Sequence, residues 1–282
     1  MGLRIPLPSQ KQQPECINEI NLKEWKKEIR EKNILLGTLW VFSRREKTGV
    51  HTNYYWGNFI PQVPYQALIR YTRSGDWVLD PFAGSATTLI TCKQMNRNAI
   101  GVELVPRVVA LFNWRLRTQA NKQVFAKIIQ GDSTSVEARK RVEDILAAHH
   151  TKQVQLIILH PPYFNIIHFS NDPRDLSNAP SLEIFLKMFR KVVENFAGLL
   201  QERRYLVLVM GDYYRKGEYV PLAFKAFEEV IATGLFKPIG DVVKNIEGNR
   251  GKRRLEPLWQ YRTLKNGFFI FKHEHVFYFQ KI

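Results

Sequence analysis

Residues 160–163 read His-Pro-Pro-Tyr and follow LIIL, an apolar run with the length and composition of a buried strand. Two prolines end a β-ladder and stiffen the turn, because neither has an N–H and both fix φ. The carbonyls of His160 and Pro161 are thereby kept out of a helix, and one of them can accept a hydrogen bond from a substrate amine. Tyr163 adds a flat face on which a planar ring can stack. Three acids, Asp80, Glu103 and Asp132, each close an earlier apolar run that precedes a helical pattern. In an open α/β sheet such strand ends line the ligand crevice, where an acid can accept hydrogen bonds from ribose hydroxyls or an adenine amino group. After Asp80 comes Pro81-Phe82-Ala83-Gly84-Ser85-Ala86-Thr87-Thr88, a glycine-bearing loop that opens a helix and exposes amides at its N-terminus. The nicotinamide fingerprint GxGxxG is absent.

The elements that must hold these residues are legible as alternating βα units. Apolar runs at 77–80, 99–104, 124–132, 154–160 and 204–212 read as strands, with helical stretches at 87–94 and 106–119 among them. Such runs imply a parallel sheet covered on both faces. The tail differs: 236–245 and 267–281 read as two strands with no helix between them, pairing antiparallel at one edge. The 245–266 stretch has no periodic pattern and reads as a protruding basic loop or hairpin. Ahead of the βα units, 22–33 is helical with Trp25 and Ile29 on one face. A short helix over 64–71 points Ala67, Leu68 and Tyr71 inward.

The 282 residues allow one large α/β domain with insertions, or two small ones. Lys and Arg outnumber Asp and Glu by 42 to 26, which favours a polyanionic partner. Cys16 and Cys92 form no CxxC pair and no His or carboxylate constellation accompanies them, so neither a metal site nor a disulfide framework is expected. The first ten residues lack the apolar core of a signal peptide, and no apolar run approaches the length of a bilayer span. A cytoplasmic protein is the expectation.

DPFAGSATT at 80–88 and HPPYF at 160–164 together resemble the amino-methyltransferase family acting on DNA at adenine N6 or cytosine N4. The family pattern is DPF-x-GSGTT in the cofactor loop and (D/N/S)PPY at the catalytic strand. The preceding YYWGNFIPQVPYQALIRYTRSGDWVLDPF and the closing HEHVFYFQK are similar to it as well, so the resemblance covers roughly 51–282. It implies an α/β, Rossmann-like methyltransferase fold, with a mostly parallel seven-stranded sheet, an antiparallel edge strand and helices on both faces. Residues 1–50 would be a basic N-terminal extension and 51–282 the catalytic domain. The implied cofactor is S-adenosylmethionine. Its methionine part would lie on Asp80, Phe82 and Gly84, with Thr87 or Thr88 near the carboxylate, Glu103 on the ribose, Asp132 on the adenine amino group and Phe59 close by. His160, Pro161, Pro162 and Tyr163 would form the catalytic pocket.

The implied partner is double-stranded DNA, in DNA methylation and restriction–modification, with the target base flipped out and stacked on Tyr163 and Phe164. DNA contacts are expected from insertions at 164–185 and 244–266. The first reads as a mobile active-site loop carrying His168. The second holds Lys244, Arg250, Lys252, Arg253, Arg254, Arg262 and Lys265 with Trp259 and Tyr261 interleaved. Two residues depart from the family pattern. Ala86 stands at its second glycine, and His160 replaces its Asp, Asn or Ser, which leans the target towards cytosine N4. A neutral His160 can accept a hydrogen bond from the amine, so activity is expected to fall as pH drops through the histidine range. Methylation at cytosine carbon 5 needs a cysteine, usually after proline, and neither cysteine is so placed. The alternatives are a methyltransferase for RNA, a protein glutamine methyltransferase, which the basic charge and the DPF-type loop fit less well, and a catalytically degenerate DNA-binding relative.

Overall fold

The computed structural model describes residues 17–282 apart from 53, 54, 56, 120, 216 and 247–255. In chain order the helix α1 (Trp25–Glu31) and the strand β1 (Leu39–Trp40) lead to α2 (Gln62–Tyr71). The βα units follow: β2 (Trp77–Asp80), α3 (Thr87–Gln94), β3 (Asn98–Glu103), α4 (Pro106–Thr118), β4 (Ala126–Gln130), α5 (Val136–Ala148) and β5 (Val154–Leu159). The second half contains α6 (Leu182–Ala197), β6 (Leu200–Met210), the short hairpin β7 (Tyr213–Arg215) and β8 (Glu218–Val220), and α7 (Leu222–Ile231). It ends with β9 (Phe236–Asn245), α8 (Glu256–Asn266) and β10 (His273–Lys281).

The described residues form an eight-stranded sheet in the order β1-β9-β10-β6-β5-β2-β3-β4. β2 pairs in parallel with both β3 and β5, so the connections run outward in opposite directions from the β2–β5 boundary. That reversal opens a crevice at the carboxyl ends of the strands, where ligands bind in open α/β sheets. Only β10 runs antiparallel, and it lies between β6 and β9 rather than at an edge. The expected seven strands and antiparallel edge are corrected accordingly. The additional strand is β1, parallel to β9 through Leu39 and Trp40, and two residues are too short to show a strand period. Trp40 is buried against Tyr278 and Phe42, and Arg97 is ion-paired to Glu19.

Period-two alternation sends successive strand residues to opposite faces. Val78, Leu156, Ile158, Val207 and Val209 pack with α2, α3 and α4, whereas Leu79, Ile157, Leu159, Leu206 and Leu208 pack with α5, α6 and α7. Each such side chain, fully buried, stabilises the fold by about 1.5–3 kcal/mol. Helix starts are set locally. Ser135 and Ser181 accept the amides of Ala138 and Ile184 at the starts of α5 and α6, and Pro106 opens α4. α8 was expected to be loop. Leu258, Tyr261 and Leu264 are all exposed on it, so the helix buries no apolar stripe and its sequence carries no core-facing periodicity.

Candidate active site

The carboxyl ends of β2, β3, β4, β5 and β6 open into one cleft of about 1150 Å³. The loop after β2 forms one wall. Gly84 takes φ +43° and Ala86 φ +59° there. An alanine in the left-handed region is strained by roughly 1–2 kcal/mol relative to glycine, which is the physical reason a glycine suits this position. No side chain caps the N-terminus of α3, and Thr87, its first residue, lines the cleft. Tyr55 lies across the loop: a Cβ added at Gly84 would come within 3.2 Å of its ring. Tyr55 also stacks on Phe169, ring centroids 5.9 Å apart.

Glu103 clamps this wall. Its Oε2 accepts the Gly84 amide at 3.0 Å and its Oε1 the Val105 amide at 2.8 Å. Burial pushes its pKa up to about 7 despite those two amides, and Asp175 and Asp80 push the same way. Asp132, at the end of β4, accepts the amide and hydroxyl of Thr134 and lines the same cleft. Asp80 is 1% exposed, raised to about 6 by burial, and accepts the Phe82 amide. Neither Asp80 nor Thr88 lines the cleft. Asp80 is therefore corrected from a ligand contact to a buttress that holds the loop, and Thr88 sits beside it.

The facing wall is the turn after β5. His160, Pro161, Pro162 and Tyr163 all line the cleft, with Phe59 edge-on to the His160 ring at 4.7 Å. Burial pushes His160 down to about 4; Glu274 opposes that shift and Lys244 adds to it. That burial favours the neutral imidazole, whose ring nitrogen can accept a hydrogen bond. Tyr163 donates its hydroxyl to Glu274 Oε2 at 2.9 Å.

Several expected contacts lie elsewhere. Phe164 is 1% exposed and packs on Phe185 and Tyr213, because the turn at Phe164–Ile166 starts with φ +51° and directs the ring into the core. It is not available to stack on a base. The 164–178 loop is closed by its own hydrogen bonds, with Asp175 taking Ser170 and Ser177, Asn178 donating to the Ser170 and Asp172 carbonyls, and His168 paired with Asn178. Lys244 is buried in an ion pair with Glu274 rather than free for phosphate. Trp259 lines the cleft mouth with Phe268, Phe269 and Phe271. Arg250, Lys252, Arg253 and Arg254 lie outside the described residues.

Lys244, expected only as a DNA contact, and Glu274 and Arg45, which were not anticipated, all line the cleft. Arg45 donates to the Phe59 and Thr52 carbonyls and to Asn58. A legible signal existed for the first two: each is a charge inside an apolar strand, DVVKN and HEHVFYF. Buried charges are rarely left unpaired. Among the described residues no group of three or more His, Cys, Asp or Glu could hold a metal ion. Nor is any helix there long and apolar enough to cross a membrane.

Residues 9–113 match a family model described as DNA methylase. The chain is 41% identical over 70 residues to the Type II methyltransferase M.MjaII of Methanocaldococcus jannaschii, covering 23% of this chain and 13% of that protein. It is 37% identical over 82 residues to the Type II methyltransferase M.XycI of Xanthomonas campestris pv. cyanopsidis, 29% of this chain and 26% of the relative. The matches thus span about a quarter or less of these relatives' lengths. Among solved structures, TrmN from Thermus thermophilus aligns with TM-score 0.50 at 15% identity, over 80% of this chain and 50% of that one, a likeness of fold. The DPF and PPY motifs face each other across one cleft of this fold, and the stretch that carries the first of them is similar to DNA methylases.

Proposed function

We propose that the protein transfers a methyl group from S-adenosylmethionine to the exocyclic amine of a flipped base in double-stranded DNA, with cytosine N4 favoured over adenine N6. The observation that carries this reading is the single cleft shared by the Phe82–Ser85 loop, Glu103 and Asp132 on one wall and His160–Tyr163 on the other. The residues fit the cofactor. The uncapped N-terminus of α3 suits its carboxylate, Glu103 its ribose hydroxyls and Asp132 its adenine amine. When bound, S-adenosylmethionine supplies an electrophilic methyl on a sulfonium.

An exocyclic amine is a poor nucleophile because its lone pair is delocalised into the ring. Neutral His160 accepts one of its N–H groups and the Pro161 carbonyl a second, favouring a pyramidal nitrogen whose lone pair points at the methyl. Catalysis on this reading is positioning and electrostatics, with no covalent enzyme intermediate. His160 lacks the carboxylate or amide that the family pairs with adenine, and this is why cytosine is favoured.

The cleft mouth supports a nucleic-acid substrate. Trp259, with Arg262 5.4 Å from its ring, stands beside Phe268 and the 80%-exposed Phe269, and Arg44, Lys47 and Arg174 line the cleft. Aromatic faces interleaved with cations suit bases and phosphates. We assign Arg250, Lys252, Arg253 and Arg254 to backbone phosphates. Nucleoside mass spectrometry of DNA and of tRNA, each incubated with the protein and methyl-labelled cofactor, tests the reading. Label in N4-methylcytosine of DNA is expected. Label in tRNA alone moves the substrate to RNA, and tight cofactor binding with no labelled nucleoside identifies a degenerate relative.

A further inference from the structure

Behind Tyr163 lies a buried pair of charges that methyl transfer does not call on. Lys244 of β9 and Glu274 of β10 are direct cross-strand partners, 5% and 7% exposed. Lys244 Nζ meets Glu274 Oε1 at 2.8 Å, and the other carboxylate oxygen takes the Tyr163 hydroxyl at 2.9 Å. The tyrosine ring is hemmed in elsewhere too. A Cβ added at Gly211 would come within 2.8 Å of it, and the His160 ring stands edge-on to it at 5.6 Å.

A buried ion pair is weak evidence for stability. Desolvating both charges costs as much as their attraction returns, and apolar residues of similar volume often do as well or better. What Met and Leu could not do is accept the Tyr163 hydroxyl with a full negative charge, which makes a hydrogen bond about twice as strong as a neutral one. Lys244 keeps that carboxylate ionised in the interior. The hydroxyl is thus spent inward, leaving the ring to offer a substrate its face alone.

We propose that Lys244 and Glu274 are a positioning pair that locks the Tyr163 ring in one orientation, so that a planar base entering the cleft meets a pre-set stacking surface. The proposal rests on the methyl-transfer reading for its purpose, but the lock itself is observable without turnover.

The test compares wild type, Y163F and the paired variant K244M/E274M in the full chain. With ring-labelled tyrosine, the NMR signals of Tyr163 are those that vanish in Y163F. Slow ring flips, with separate signals for the two sides of the ring, are expected in wild type and averaged signals in K244M/E274M. The paired variant is expected to melt at or above the wild-type temperature and bind cofactor equally well, while kcat falls about tenfold, the scale of one lost charge-assisted hydrogen bond. Y163F is expected to lower kcat similarly, and adding it to the paired variant to cost nothing more, because both remove one interaction. Fast flips in wild type overturn the lock even if no nucleic acid is ever methylated, a result that would sink the functional reading instead. Unchanged kcat in Y163F, or additive losses in the combination, overturns the positioning role. Y163F removes one hydroxyl, so it serves even if the paired variant does not fold.

Discussion

The two walls of the cleft are built on different plans. The wall after β2, β3 and β4 is assembled from backbone amides and carboxylates within a few residues of a strand end: Glu103 holds Gly84 and Val105, and Asp80 holds Phe82. The wall after β5 depends on side chains from remote strands. Tyr163 reaches Glu274, 111 residues later, and Glu274 reaches Lys244 across the β9–β10 pair. A loop-and-amide wall recognises a ligand through geometry that a short motif specifies. A wall of distant side chains exists only once β10 has inserted between β6 and β9, so its rigidity is a property of the whole sheet. The first wall should therefore fail by losing cofactor, and the second by losing turnover with cofactor still bound.

The largest expected effect is on the second wall. H160A should lower kcat about a hundredfold, the low end for losing one preorganised hydrogen-bonding group at the reacting centre, with cofactor affinity unchanged. The wild-type pH profile sharpens this. A histidine held down near 4 is neutral, and able to accept the amine N–H, at every pH above that value. kcat should be flat from pH 8 to 5 and fall only on approach to 4. A fall centred near 6.5 in initial-rate measurements would return His160 to the ordinary histidine range and break the assignment of a desolvated acceptor.

Two glycines, one in each wall, give the direct contrast. A Cβ at Gly101 on β3 would come 2.6 Å from the Ala83 Cβ in the cofactor loop, and one at Gly211 would come 2.8 Å from the Tyr163 ring. Overpacking of this kind costs about 1–3 kcal/mol, and each should displace the neighbour it strikes. G101A is expected to weaken cofactor binding about tenfold in calorimetry with kcat at saturation little changed. G211A is expected to lower kcat about tenfold with cofactor affinity intact. If both substitutions moved the same parameter, the division between the walls would not hold.

The same contrast explains what the sequence revealed. Asp80, Glu103, Asp132 and the prolines at 161–162 were legible because strand ends and rigid turns write themselves into adjacent residues. Their roles were less so. Asp80 ends its strand as expected, yet its carboxylate points under the loop to the Phe82 amide. Phe164 looked like a stacking partner because it follows Tyr163, but a single positive φ turns it into the core. Lys244 looked like one more cation of a basic stretch, and nothing adjacent to it names Glu274 as its partner. β1 and α8 were missed because one has two residues and the other buries no apolar face.

The pH dependence expected at Glu103, several-fold in size, probes whether the first wall works by charge as well as shape. Its pKa is raised from 4.5 to about 7, so burial accommodates the carboxyl more easily protonated than ionised. Its contribution to stability is therefore fully present below pH 4.5 and is lost as pH rises through 7. Hydroxyl donors from a bound ribose favour the ionised form, so binding and deprotonation must be linked. Cofactor affinity measured by calorimetry is expected to rise several-fold from pH 6 to 8, with net proton release on binding near pH 6.5. E103Q keeps a carbonyl acceptor but cannot titrate, and should show weaker affinity, by about tenfold at pH 8, with that pH slope removed. A slope that persists in E103Q would assign the linkage to another group, and the first wall would then recognise its ligand without help from the Glu103 charge.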